Sequence, residues 1–327
     1  LGSGTCAIKL IRGSHDAYDG VVFYREGTSG SWTLLNVTGD TTTFPVSSTT
    51  MQLAHNWNKS GDDYMTCRFG GQTTNLEKIE ISQKAILSGT IGRYFMNGYA
   101  NGCSSLISLD VPDLSNVTSV GEGFMTGYAS DCSSLTSLDV PDTSNIATVG
   151  TSFLSNYAQG CSKLTSLDSP KIPKLNAGGH FFLYYYAKDC SSLTSLGVPD
   201  TSGLTSVGDN FLSNYAQGCS KLTSLSAPDT SNIATTGSDF MSGYILNCSK
   251  ITSLGVPDTS SMTSVGKDFM KDYARGGTSL LRLELTKAGW FKTHNINWTV
   301  PSGRLGYLKG YVKNETDETD WKALTAP

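Results

Sequence analysis

Six cysteines, Cys103, Cys132, Cys161, Cys190, Cys219 and Cys248, recur at a spacing of 29 residues, and thiols in that number offer disulfide exchange, metal ligation or nucleophilic attack. Each chemistry has a geometric requirement. Stacked in register, their Cβ atoms would sit about 4.8 Å apart, one strand spacing, whereas a disulfide needs about 3.8 Å. No Cys-x-x-Cys and no paired histidine accompanies any of the six, so a metal site is disfavoured. The expectation is a structural core ladder of buried free thiols acting as small hydrophobes. Cys6 and Cys67 lie outside the period, and two readings stand for them: a mutual disulfide or two free thiols.

A second column of reactive groups follows the same period. Asp113, Asp142, Asp200, Asp229 and Asp258 each follow a proline, with Lys171 interrupting the row. Carboxylates stacked at strand spacing repel unless each accepts local backbone donors or a cation is shared. Five local turns is the first expectation, and calcium bridging is the alternative; no other cofactor is expected. Asp16, Asp19 and Asp40 allow the same two readings near the N-terminus. His15, His55, His180 and His294 are scattered, none with a Cys, Asp or second His at ligand spacing along the chain, and His180 reads as a solvated side chain. No Gly-x-Ser-x-Gly elbow, Walker loop or dinucleotide fingerprint is present, so an enzyme is not expected.

The elements that position these columns come from one repeated sentence. From Phe124 it reads F-M-T-G-Y-A-S-D-C-S-S-L-T-S-L-D-V-P-D-T-S-N-I-A-T-V-G, and it returns from Phe153, Phe182, Phe211 and Phe240. A fixed period of this length marks a solenoid, whose coils bury their apolar faces only against each other. Phe153-Leu154-Ser155-Asn156-Tyr157-Ala158 places apolar groups at i, i+1, i+4 and i+5, which predicts a short helix between Gly150 and Gly160. Leu-x-x-Leu-x-Val, as in Leu135-Thr136-Ser137-Leu138-Asp139-Val140, predicts a short parallel strand, ended by Pro141 and a turn before Ile146 and Val149 return inside. Strands stack about 4.8 Å apart and helices are about 10 Å across, so helices on one side predict a curved array.

The predicted fold class is therefore an α/β solenoid, leucine-rich-repeat-like and right-handed, with 29-residue coils of strand plus helix over residues 76–285. Residues 1–75 carry short alternating stretches between Gly, Ser and Asp turns and read as a small β-sandwich. Asn75–Ile81, one residue out of phase and lacking the cysteine, reads as a capping coil. Residues 286–327 bring Trp290, Phe291, Trp298 and Trp321, which read as an aromatic-rich C-terminal cap or as a glycan-stacking platform.

The run V-G-x-x-F-L-x-x-Y-A-x-G-C-S-S-L-T-S-L-x-V-P resembles the leucine-rich repeat of BspA-type bacterial surface proteins. Cys103-Ser104-Ser105-Leu106 with Val111-Pro112-Asp113, and their equivalents up to Cys248 and Pro257, carry the likeness over roughly residues 76–285. Here the coil is several residues longer than the commonest version. The resemblance implies a secreted or surface-displayed adhesive module, and similar coils occur in phage-borne fibres.

Charged residues are only 16% of the chain and the net charge is -4, which excludes nucleic acid as a partner. No run of about 20 apolar residues exists, so no membrane insertion is expected. The candidate binding face on the strands is Ser108, Asp110, Ser137, Asp139, Ser166, Asp168, Ser195, Ser224, Ser226 and Ser253, joined by Tyr184 and Tyr185. Such short side chains are poor material for a tight protein hot spot, which favours Trp, Tyr and Arg. They suit a repetitive protein or glycan surface, or identical subunits packed end to end. A non-enzymatic extracellular or cell-surface scaffold for adhesion is expected, with a self-assembling fibre subunit as the alternative.

Overall fold

The computed structural model describes residues 4–11, 22–26, 31–35, 42–46, 51–55, 66–69, 78–79, 81, 87–280 and 282–284. Residues 286–327, read as a C-terminal cap with its tryptophans, and Asp16, Asp19, Asp40, His15 and His294, lie outside the described residues. Near the N-terminus are six strands, β1 (Gly4–Ile11), β2 (Val22–Glu26), β3 (Thr33–Leu35), β4 (Thr42–Val46), β5 (Met51–His55) and β6 (Thr66–Phe69). They form two antiparallel sheets in the orders β4-β1-β6 and β3-β2-β5. Cys67 lies opposite Leu10, so the Cα of Cys6 is four residues further along β1, roughly 13 Å at the usual rise and beyond the roughly 7 Å that a disulfide spans.

The repeats build a parallel β-solenoid of 29-residue coils in which each coil bonds to the next along three separate segments. On the first, Ser166-Leu167 pairs with Ser195-Leu196, and Ser224-Leu225 with Ser253-Leu254, each offset by one period. Leu167, Leu196, Leu225 and Leu254 point inward while the serines face out. The irregular first coil joins this sheet through Lys78-Ile79 against Ser108-Leu109, an offset of 30 residues that absorbs its phase shift. The second segment is the return stretch, where Ser119 pairs with Thr148 and Ala177, Ser206 and Thr235 lie in register. This second parallel sheet was not expected; its strands are too short to show alternation.

The third segment corrects the largest expectation. Among the described residues there is no helix, and the stretch around each Phe and Tyr is a ribbon of turns. Every second residue there takes a left-handed φ, as at Ser152, Leu154 and Asn156, with values of 63, 49 and 57°. The amides between them close four-residue turns, such as Tyr128 N–H to the Met125 oxygen at 3.3 Å and Cys161 N–H to the Ala158 oxygen at 3.2 Å. The other amides reach across to adjacent coils: Ala158 N–H donates to the Tyr186 oxygen at 2.9 Å, and Leu154 N–H to the Phe124 oxygen at 3.0 Å.

A helix would instead keep φ near -60° and bond to i-4. What selects the ribbon is a column of residues that tolerate left-handed φ. The position three after each Phe is Gly98, Gly127, Asn156, Asn214, Gly243 and Asp272 in six coils, all left-handed. Gly, Asn and Asp are also poor helix formers. The position one after each Phe is also left-handed yet buried, and it is always Met or Leu (Met125, Leu154, Leu183, Leu212, Met241). A β-branched side chain is excluded there by the backbone conformation. Because the ribbon stacks at the same spacing as the strands, the mismatch from which curvature was expected is absent.

The core runs unbroken along the stack. Phe124, Phe153, Phe182, Phe211 and Phe240 stack with centroids 5.2–5.7 Å apart, and Tyr128, Tyr157, Tyr186, Tyr215 and Tyr244 at 5.3–5.5 Å. Each buried tyrosine hydroxyl needs a partner, and it donates to a strand-end carbonyl 18 residues earlier, Tyr186 to Asp168 and Tyr215 to Gly197 at 2.8 Å each.

The six repeat cysteines are buried and free. Cys132, Cys161, Cys190, Cys219 and Cys248 each donate their thiol to the alanine carbonyl of the preceding coil at 3.0–3.2 Å. Burial pushes the Cys190 and Cys248 thiols up to about 12. The thiolate is the reactive form. In native protein at pH 8, iodoacetamide should therefore modify Cys190 at least about a thousandfold more slowly than in denaturant. Peptide mapping by mass spectrometry reads this directly, and comparable native labelling would contradict the buried ladder.

Candidate functional site

The serines of the first sheet form one in-register row. Ser137, Ser166, Ser195, Ser224, Ser226 and Ser253 are exposed, as are Asp139 and Asp168, while Ser108 and Asp110 at the start of the row are half-buried. Much of the hydrogen-bonding capacity beside this row is used internally. Thr194 and Thr252 donate their hydroxyls to the Thr165 and Thr223 carbonyls of the preceding coil, both at 3.1 Å. Asp110 accepts the Ile81 amide at 3.2 Å. The row carries Asp110, Asp139 and Asp168 in its first half and Gly197, Ser226 and Gly255 at the same position in its second, and it has no aromatic groups. Tyr184 and Tyr185 are not part of it, because they belong to the turn ribbon.

The proline-linked aspartates are held locally. The Oδ1 atoms of Asp142, Asp200, Asp229 and Asp258 accept the amide of the serine two residues on, at 2.9–3.1 Å. The Ser202 and Ser231 hydroxyls add bonds to the same oxygens. Bonds from Ser144 and Ser202 hold the Asp142 and Asp200 carboxyls below the usual carboxylate range. Among the described residues, no group of three or more His, Cys, Asp or Glu is placed to hold a metal ion.

One coil departs from this uniformity. On the outward side of the ribbon, the other six coils carry small or polar groups at the three positions that in the fourth coil are Phe181, Tyr184 and Tyr185, except for Tyr94 in the Phe181 column and Lys271 in the Tyr184 column. Phe181 is 38% exposed, and both tyrosines are half-buried. The Phe181 ring meets Tyr184 edge-on at 5.5 Å, and Tyr184 and Tyr185 lie 3.9 Å apart, tilted by 33°. Lys188 Nζ sits 4.5 Å over the Tyr185 ring. Burial, reinforced by the hydrogen bond to Tyr185, pushes the Tyr184 hydroxyl above its ordinary value.

Two of these aromatics occupy unfavourable backbone. Phe181 and Tyr185 both have a φ of 55°. The Tyr185 column otherwise holds only Gly, Asn or Asp, and the Phe181 column holds Gly123, Ser152, Asn210, Asp239 and Asp268 but also Tyr94, with a φ of 60°. A bulky side chain in left-handed backbone costs on the order of 1 kcal/mol; the Met and Leu column offsets that cost by full burial, whereas Phe181 and Tyr185 are only partly covered.

Phe181 was not recognised from sequence, because in Phe181-Phe182 it reads as part of the buried run. Only comparison down the 29-residue column separates it. The same comparison would have found the partner of His180. Asp209, one coil on, lies 3.0 Å from His180 Nδ1, and its amide reaches the same nitrogen at 3.1 Å. His180 is exposed, as expected, but it is not alone.

No protein-family model matches this chain, and no curated protein or solved structure matches it either, so the likeness to BspA-type repeats rests on the motif residues alone.

Proposed function

We propose that this protein is a non-enzymatic recognition scaffold of an extracellular or cell-surface kind, in which a rigid stack of coils presents one aromatic patch to a partner surface. The observation that carries the reading is the Phe181–Tyr184–Tyr185 cluster, three aromatic side chains in mutual contact on a ribbon face that in the other described coils carries one aromatic, Tyr94, at these positions. The absence of chemistry from the reading rests on how the reactive groups are used: thiols bonded inside the core, and aspartates bonded within their own turns. Surface display and adhesion rest on the BspA-type resemblance.

The alternative is a self-assembling subunit of an extracellular or phage-borne fibre. It draws on the exposed serine row from Ser137 to Ser253, whose regularity suits packing against identical chains. Purified protein examined by negative-stain electron microscopy should be dispersed, and it should be retained on a mucin-coated surface. The double variant Phe181→Asn, Tyr185→Asn should lose at least tenfold in retention. Regular filaments, with retention indifferent to the double variant, would favour the fibre.

A further inference from the structure

We infer that the patch at Phe181, Tyr184 and Tyr185 is a subsite for a neutral pyranose glycan, an inference that rests on the recognition reading above. A pyranose has a face of C–H groups and a rim of hydroxyls. It therefore needs an aromatic ring beneath it and uncharged hydrogen-bonding groups around it. The ribbon supplies both in register. One coil before the patch stand the partly exposed Ser152 and Asn156, and one coil after it stand the partly exposed Asn210 and Asn214. The Asn156 amide nitrogen donates to Gln159 at 2.6 Å and that of Asn214 to Ser213 at 3.0 Å, so the amides are oriented rather than free to rotate. The band of three coils is about 10 Å deep, two strand spacings, which accommodates a sugar ring and its hydroxyls.

Charge and size decide against other occupants. A sulfated or otherwise anionic chain needs several cations. The patch offers Lys188, which lies over Tyr185 and is 3.7 Å from Asp189, and Asp209 stands at the other side beside His180. A protein partner needs roughly 800 Å² from each side around a desolvated anchor. Here three partly covered rings are flanked by Ser152, Asn156, Asn210 and Asn214, polar residues that do not exclude water from such a centre.

Affinity electrophoresis in gels containing β-glucan, xylan, mannan or galactan, with heparin as the anionic comparison, tests the assignment. At least one neutral polysaccharide should retard the protein. Tyr184→Ser and Tyr185→Asn, each borrowing a residue from the neighbouring coils, should weaken that retardation tenfold or more. Their melting temperatures should be unchanged or higher, which excludes unfolding as the cause. Lys250→Ala, at an exposed position in another coil, should bind as the parent does. Retardation by heparin alone, by no polysaccharide, or equally for parent and patch variants overturns the glycan subsite.

Mucin retention separates this failure from failure of the recognition reading. Retention lost in the patch variants but unaffected by periodate oxidation of the mucin removes the glycan and leaves recognition. Retention that never depends on the patch removes both.

Discussion

Replacing Gly237 by alanine should destabilise the stack by about 3 kcal/mol or more, at the top of the usual range for over-packing. Gly237 belongs to a column, Gly92, Gly121, Gly150, Gly179, Gly208, Gly237 and Gly266, that lies three residues before each core Phe. Its φ is ordinary, so conformational freedom is not the reason for it. Space is the reason. A Cβ at Gly237 would lie 2.4 Å from the Asp209 amide nitrogen and 2.5 Å from the Gly208 carbonyl carbon, both backbone atoms of the preceding coil. Relief requires parting the coils where Gly237 N–H donates to the Val207 oxygen at 3.0 Å and Ser238 N–H to Asp209 Oδ1 at 2.7 Å. Gly102→Ala is the informative contrast. Gly102 has a φ of 78° and open space at its Cβ, so only the left-handed penalty of about 1–2 kcal/mol applies. Denaturant unfolding of both variants reads the difference, and a Gly237→Ala cost below that of Gly102→Ala would mean that the close approach of coils is not limiting.

The two glycines also explain what could be read from the chain beforehand. Stacking of coils follows from the 29-residue period alone, because no coil can bury Phe182, Tyr186 and Cys190 by itself. The local path of the backbone does not follow. Phe153, Leu154, Tyr157 and Ala158 satisfy a helical spacing, but the ribbon puts the same four side chains inside. Apolar periodicity cannot tell the two apart. The distinguishing information is the alternation of left-handed positions, written as Asn156 and Gly160 within one coil and as Gly, Asn or Asp in six of the seven residues three after a core Phe.

The same blindness hid the second sheet, whose inward residue is Val120, Gly178, Val207 or Thr236 in different coils, with no alternation to mark a strand. The serine row was legible because Ser and Leu alternate along it. The aromatic patch was half legible: Tyr184 and Tyr185 stand out from their columns, whereas Phe181 is masked by its buried neighbour.

Phe182→Ala tests the continuity of the interior and should cost about 3–5 kcal/mol, the range for deleting a fully buried aromatic side chain. Phe182 stacks on Phe153 at 5.2 Å and on Phe211 at 5.4 Å, so one substitution removes both ring contacts and leaves a void between coils. In a globular core such a loss would lower stability and leave the unfolding cooperative. A stack of near-identical coils behaves differently, since each coil is stabilised mainly by its two neighbours. Weakening the junction at the middle should let the two halves unfold separately. The expected signature is therefore a fall in midpoint together with a shallower or two-step denaturant transition, because each step exposes less surface and the slope follows exposed area. Phe182→Leu refills most of the void and should restore a single transition. A variant that loses stability but keeps the parent slope would show that the coils fold as one indivisible unit, and coupling between neighbours would then have to extend well past the adjacent coil.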